Sequence, residues 1–237
     1  KALFDTKSIS FINQVEPLIS ARKEREPIDD KWGSDETAFA LIYVNGDCAM
    51  DGGINARELV KSVESAAKDN SIKAIILRVD SPGGDAMASD YIAEVVRKYK
   101  SKKPIIVSQG ALAASGGYWL SMDATKIVST PMTITGSIGV ISSWIYDKGL
   151  KDSLGINTSI VKKGKYSDVG IAYQMPIIPI GLPLRNLNDD ERQQFEASIA
   201  DLYKDFVTKV SVGRKMTYDE VHAVAQGRVW TGKDAIE

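Results

Sequence analysis

Residues 72–108, IKAIILRVDSPGGDAMASDYIAEVVRKYKSKKPIIVS, decide the fold. Ile72–Val79 is a near-continuous apolar run, as a strand covered on both faces requires. Ser81-Pro82-Gly83-Gly84 makes a tight turn, Ala86–Lys100 has helical periodicity, and Pro104–Ser108 is a further apolar run. Strand, helix and strand in this order form a right-handed crossover between parallel neighbours. Upstream, Ala38–Val44 (AFALIYV) reads as another buried strand, and Asn55–Lys68 as an amphipathic helix with Leu59, Val63 and Ala66 on one face. Downstream, Lys126–Ser129, Ile138–Ile141 and Thr158–Lys162 read as three more strands. Asp189–Val212 reads as a long helix with Asn188 and Asp189 as capping candidates. In Thr217–Ala225, Thr217 and Glu220 have the spacing of a capping box. Ala2–Glu26 reads as a helix kinked or broken at Pro17, and Pro27–Glu36 as a linker. The expected architecture is α/β: residues 1–36 form an N-terminal helix and linker, and 37–237 a domain built on a mostly parallel sheet with flanking helices.

Composition narrows the function. With 237 residues, 43% apolar and 26% charged, the chain is ordinary globular protein. A chain this long buries roughly 70–75% of its unfolded surface and needs no metal or disulfide to fold. Thirty basic residues against 31 acidic ones give a net charge of −1, so the basic excess of a nucleic-acid binder is missing. The single cysteine, Cys48, allows no intrachain disulfide. No run of about 18 apolar residues is present to span a membrane. The ends, Lys-Ala-Leu and Asp-Ala-Ile-Glu, read as those of a fragment. No metal or cofactor is expected, because neither a ligand-spaced His/Cys/Asp/Glu cluster nor a phosphate-binding glycine motif is written in the chain.

In parallel sheets, functional groups gather beyond the carboxyl ends of the strands. Two glycine-rich loops fall there, Ser81–Asp85 and Ala113–Gly117. In Ala114-Ser115-Gly116-Gly117-Tyr118 a serine leaves a strand and enters a helix among small residues, which leaves room for a substrate carbonyl. An acyl-transfer oxyanion needs two N–H donors at about 3 Å. Gly116 can supply one and the Gly83-Gly84 turn the other. The same loops also suit a plain helix start, or phosphate or coenzyme A binding. The single histidine, His222, lies inside a helix far from both loops, so a Ser-His-Asp triad is not expected. A lysine base is the substitute. Lys162, Lys163 and Lys165 are the in-chain candidates, although three lysines together also read as wet surface.

Four motifs carry a resemblance: LRVDSPGG at 77–84, AASGGYW at 113–119, TGSIGV at 135–140 and AQGRVWTGKDA at 225–235. In order and spacing they closely resemble the signal peptide peptidase A (protease IV) group of the S49 serine peptidases. The resemblance implies a ClpP/crotonase-like fold and a Ser/Lys-dyad endopeptidase that degrades cleaved signal peptides and other extended apolar peptides. It also implies membrane association with the catalytic part on the extracytoplasmic side, and assembly into a homo-oligomer. Ser115 matches the nucleophile, and Gly83 or Gly84 with Gly116 match the oxyanion-hole positions. Ser167 stands where single-domain members carry the base lysine. The chain therefore resembles the carboxyl-terminal half of a long two-half form, whose amino-terminal half supplies the lysine. Two other readings stay open: a crotonase-type acyl-CoA enzyme, and a non-catalytic half that oligomerises or binds peptide. Tyr118, Trp119 and the run Met175–Ile180 are candidates to line apolar substrate pockets, and read equally well as core packing and a folded loop.

Overall fold

The computed structural model describes residues 9–11, 38–174 and 181–236. They divide into two compact units: the described residues up to Gly139 together with those from Asp205 onward, and the described residues between Val140 and Lys204. The sheet of the first unit contains β1 (Ile9–Phe11), β2 (Ala38–Asn45), β3 (Ile72–Ser81), β4 (Ile105–Ala114), β5 (Lys126–Val128), β6 (Ile134–Gly136) and a last strand, Val229–Thr231. Its order is β1-β2-β3-β4-β6 and then Val229–Thr231, with β5 also on β4. Every pairing is parallel except the last, where Val229–Thr231 runs antiparallel to β6.

Two helices cross between the central strands, α1 (Ala56–Lys68) and α2 (Ala86–Tyr99). Each starts where its sequence says. Asn55 accepts the Glu58 N–H, and Asp85 accepts the Ala88 N–H at 2.7 Å, so each satisfies an otherwise orphaned first-turn donor. Leu59, Val63 and Ala66 of α1 and Ala88, Ile92, Val95 and Val96 of α2 recur at helical spacing and are buried. They share one core with Ala40, Ile42 and Val44 of β2, Ile75, Leu77 and Val79 of β3, and Ile105 and Val107 of β4. Alternate strand residues fill this core, which is the period-2 rule of a pleated strand.

Several expectations need correction. Ile9–Phe11, placed in an N-terminal helix, is a strand; the rest of that segment, with the proposed linker, lies outside the described residues. Its reason is pairing with β2 in register Ile9↔Phe39 to Phe11↔Leu41, a contact no local periodicity reveals. The strand expected at Ile138–Ile141 lies earlier, at β6. After Gly136 the chain turns at Ser137, whose φ is 48°, and it bonds across to the 226–228 turn instead: Ser137 N–H donates to Arg228 O and Gly227 N–H to Ile138 O. Thr158–Lys162 forms no strand; it is exposed and pairs with no other strand among the described residues. β4 is longer than expected and runs to Ala114, so Ser115 comes directly after it.

The second unit contains α3 (Lys148–Ser153), an antiparallel pair of Ala172–Gln174 with Gly181–Pro183, and the start of the helix Asp189–Arg214. Asn188 caps that helix reciprocally with Glu191: the Glu191 N–H donates to Asn188 Oδ1 and the Asn188 N–H to Glu191 Oε2, both at 2.9 Å. Arg185 bridges two buried carboxylates, contacting Asp168 at 2.8 and 2.9 Å and Glu191 at 2.6 and 2.7 Å. Lys162 adds a 2.7 Å bond to Asp168. Arg185 first, then Lys162, holds Asp168 far below the usual carboxylate range. Arg185, then the Asn188 amide, brings Glu191 down to about 2.

Both groups are more acidic folded than unfolded, so their stabilising effect is complete near neutrality. It is lost as pH falls, for Glu191 between about 4.5 and about 2. A 19F spectrum of fluorotryptophan at Trp144, which packs edge-on against Phe195 at 6.4 Å, is expected to report loosening in that window. Arg185→Met should move the onset to higher pH, because it leaves Asp168 with Lys162 alone and Glu191 with the Asn188 amide alone, so both carboxylates take up protons earlier. An unchanged onset would show the network to be idle. Among the described residues, no helix is long and apolar enough to cross a membrane.

Candidate active site

β3 and β4 are parallel neighbours, so the loops that leave their carboxyl ends lie side by side. After β3 come Pro82, Gly83 and Gly84, and then Asp85, the N-cap of α2. After β4 comes Ser115, and then one helical turn, Gly116–Trp119. The sequence placed both loops correctly. A single turn has little macrodipole, however, so the donors here are individual amides.

Ser115 has φ 51° and ψ −119°, the conformation of the first central residue of a type II′ turn, which favours glycine. Three backbone bonds hold it there. Its N–H donates to Gly136 O at 2.9 Å, and its carbonyl accepts from Tyr118 N–H at 2.9 Å and Trp119 N–H at 2.8 Å. The side chain is half-buried and makes no capping bond to the helical turn after it. A strained serine offering an uncommitted hydroxyl at a strand-to-helix corner obeys the logic of a nucleophile elbow.

The glycines are dictated by contact. A Cβ on Gly83 would lie 2.6 Å from Gly116 N and 2.7 Å from Ser115 Cβ. One on Gly116 would lie 2.3 Å from Ser89 Oγ and 3.1 Å from Cys48 Sγ. The two loops therefore touch backbone to backbone at the serine.

The structure distinguishes the candidate amides. The Gly83 N–H donates to Ser81 Oγ at 3.2 Å. The bridge from this turn to Cys48 uses the Gly83 carbonyl (2.7 Å) and the Asp85 N–H (2.8 Å), which leaves the Gly84 N–H outside it. Gly116 opens a helical turn, where the N–H has no intrahelical acceptor. Neither the Gly84 nor the Gly116 amide has a backbone acceptor among the described residues. Cys48 lies 3.5 Å from Ser81 Oγ, and burial pushes its thiol up, which keeps it neutral. Burial likewise raises the hydroxyl of Tyr118. Trp119 is buried, stacked at 4.2 Å on Phe206, with its indole N–H on Asp90 at 3.0 Å. Of the two readings that the sequence leaves open for it, core and pocket wall, it is core, while Met175–Ile180 lie outside the described residues.

Two of the three candidate lysines are held by carboxylates. Lys162 is paired with buried Asp168, and Lys165 with Asp190 at 2.6 Å. The Asp190 carboxylate pushes Lys165 above the usual lysine range. A base needs the opposite shift. Lys163 is exposed, as is Ser167, which donates to Gly164 O at 3.2 Å. His222 stacks on Tyr218 and bonds Gln226 at 3.2 Å. Sequence reasoning missed Lys209, which lies over Trp119 at 5.5 Å but is held by Asp90 at 2.6 Å and Asp205 at 3.2 Å. Only the pairing of distant residues could have revealed it.

Comparisons with known proteins show the family and the fold. Residues 97–237 match the model of peptidase family S49. The chloroplastic serine protease SPPA of Arabidopsis thaliana is 38% identical over 197 residues, 83% of this chain and 28% of that protein. Protease 4 of Salmonella typhi is 36% identical over 203 residues, 83% of this chain and 31% of its own length. Protease 4 of Haemophilus influenzae is 37% identical over 181 residues, 76% and 27% respectively. The chain spans less than a third of each of these relatives. Among solved structures, a membrane-bound stomatin-specific protease superposes with TM-score 0.54 over 85% of this chain and 76% of that one. At 14% identity this likeness is one of fold, the ClpP-like α/β architecture that the sequence motifs imply.

Proposed function

We infer the chemistry from one premise: the chain belongs to peptidase family S49 and is a serine peptidase. Ser115 is the nucleophile of a Ser/Lys dyad. Its Oγ bonds to the scissile carbonyl carbon while a neutral lysine takes the hydroxyl proton. The carbonyl oxygen becomes an oxyanion between the Gly84 and Gly116 N–H groups. The C–N bond then breaks, and the lysine returns the proton to the departing amine. Water attacks the acyl-serine with the same lysine as base, which frees the carboxylate and Ser115.

The observation that carries this reading is a Ser115 side chain with no capping bond, in a corner where, among the described residues, the Gly84 and Gly116 amides have no backbone acceptor. The lysine comes from an amino-terminal half of the same protein: of the in-chain candidates, Lys162 and Lys165 are paired with Asp168 and Asp190, and Lys163 is exposed. Substrates are cleaved signal peptides and other extended apolar peptides. The intact protein works as a homo-oligomer at a membrane, with its catalytic part on the extracytoplasmic side.

A fluorophosphonate probe and a signal-peptide substrate test this. The isolated chain is expected to react slowly and to cleave almost nothing. Joined to the lysine-bearing half it should be labelled at Ser115 and should cleave. Robust cleavage by the isolated chain would reject the split dyad, and a label on another residue would reject Ser115. Hydrolysis of an acyl-CoA in place of peptide would move the chain to the crotonase reading.

A further inference from the structure

The register between β3 and β4 is broken just before the site. Val79 pairs with Gln109, but the next aligned pair is Ser81 with Ala113. β3 advances two residues (79 to 81) while β4 advances four (109 to 113), so β4 carries two extra residues. Extra residues of this kind bend a strand and re-aim the side chains beyond the bend.

The bulge has its own fastenings. The Asp80 carboxylate accepts the Leu112 N–H at 3.1 Å and the Ala111 N–H at 3.3 Å. These are amides that an interrupted ladder leaves without strand partners. Gly110 makes room, since a Cβ there would lie 2.5 Å from Asp80 Oδ2. On the other side Thr133 Oγ1 donates to Gly110 O at 2.8 Å, and Thr135 Oγ1 to Ala113 O at 2.9 Å.

The strand register carries the consequence. With Ser81 opposite Ala113, two more steps on each strand bring Gly83 opposite Ser115, in agreement with the close approach of these two residues. Without the bulge Ser81 would face Ala111. Gly83 would then face Ala113, and Ser115 would overshoot the turn by two residues, roughly 6–7 Å. We propose that Asp80 is a positioning residue: by holding the two-residue bulge in β4 it sets Ser115 level with the Gly83-Gly84 turn. The inference rests on Ser115 being the nucleophile.

The test uses the intact protein with its lysine-bearing half, and two readouts. Asp80→Ala should slow fluorophosphonate acylation of Ser115 by about 10- to 100-fold. The fraction finally labelled should stay the same, and the Ala111 and Leu112 amides should exchange faster. Asp80→Asn keeps one acceptor oxygen and should recover most of the rate. A variant that is merely destabilised would lose labelled fraction at an unchanged rate constant, and that result would overturn the proposal. So would parent-like acylation and exchange in Asp80→Ala. If the parent takes no label at Ser115, the peptidase reading fails, and amide exchange alone then decides whether Asp80 holds the bulge.

Discussion

Ser115→Ala is expected to lower peptide turnover by the intact protein on the order of 10⁴-fold or more, because no other group can take over the covalent step. The lysine and both amides would remain, but the water that replaces the hydroxyl is neither oriented nor held at the strand end. Cys48 cannot substitute, since its thiol is buried and kept neutral. A second effect goes the other way. Ser115 sits at φ 51°, where any side chain is strained, and such residues cost of order 1–3 kcal/mol. Ser115→Gly should therefore be as inactive as Ser115→Ala yet melt at a higher temperature than the parent. Steady-state cleavage and thermal melts check both statements. Retention of more than roughly a hundredth of parent turnover by Ser115→Ala would place the nucleophile elsewhere.

Gly83→Ala is the second large effect. The new methyl would meet Gly116 N at 2.6 Å, Ser115 Cβ at 2.7 Å and Ala114 O at 3.0 Å. Two of these three are backbone atoms and cannot swing aside. The φ of 102° at Gly83 adds strain for any L-residue with a side chain. To relieve the contact the two loops must part, which moves the Gly116 N–H away from the position of the oxyanion. Losing one such donor costs about 10²- to 10³-fold. Acylation of Ser115 is expected to fall by that factor, together with a lower melting temperature. Gly52→Ala is the control, since nothing lies within 4 Å of its added Cβ. Parent-like acylation in Gly83→Ala would mean that the two loops do not meet at the serine.

The site was more legible than the sheet. The pairing of a Ser-Pro-Gly-Gly turn with an Ala-Ser-Gly-Gly corner, each after an apolar run, is enough to place Ser115, Gly83, Gly84 and Gly116 in one neighbourhood. It does not separate Gly83 from Gly84. That distinction depends on Ser81 Oγ taking the Gly83 N–H, and on a bridge to Cys48 from another part of the chain. The three lysines look equivalent in sequence, and carboxylates elsewhere in the chain set two of them apart.

Helix starts were readable because their causes are local. Asn55, Asp85 and Thr217 each accept from an amide three residues on, so identity and spacing carry the whole interaction. The repeat of buried residues along α1 and α2 is likewise a property of one segment. Strand assignments failed where partners decide. Ile9–Phe11 became a strand only through β2, Ile138–Ile141 lost that role to a turn bonded to Arg228, and the β4 bulge depends on a carboxylate one strand away. A side chain that bonds its own neighbours is written in the sequence. A strand, a register or an amide's vacancy is shared with residues far along the chain, and only their meeting in space determines it.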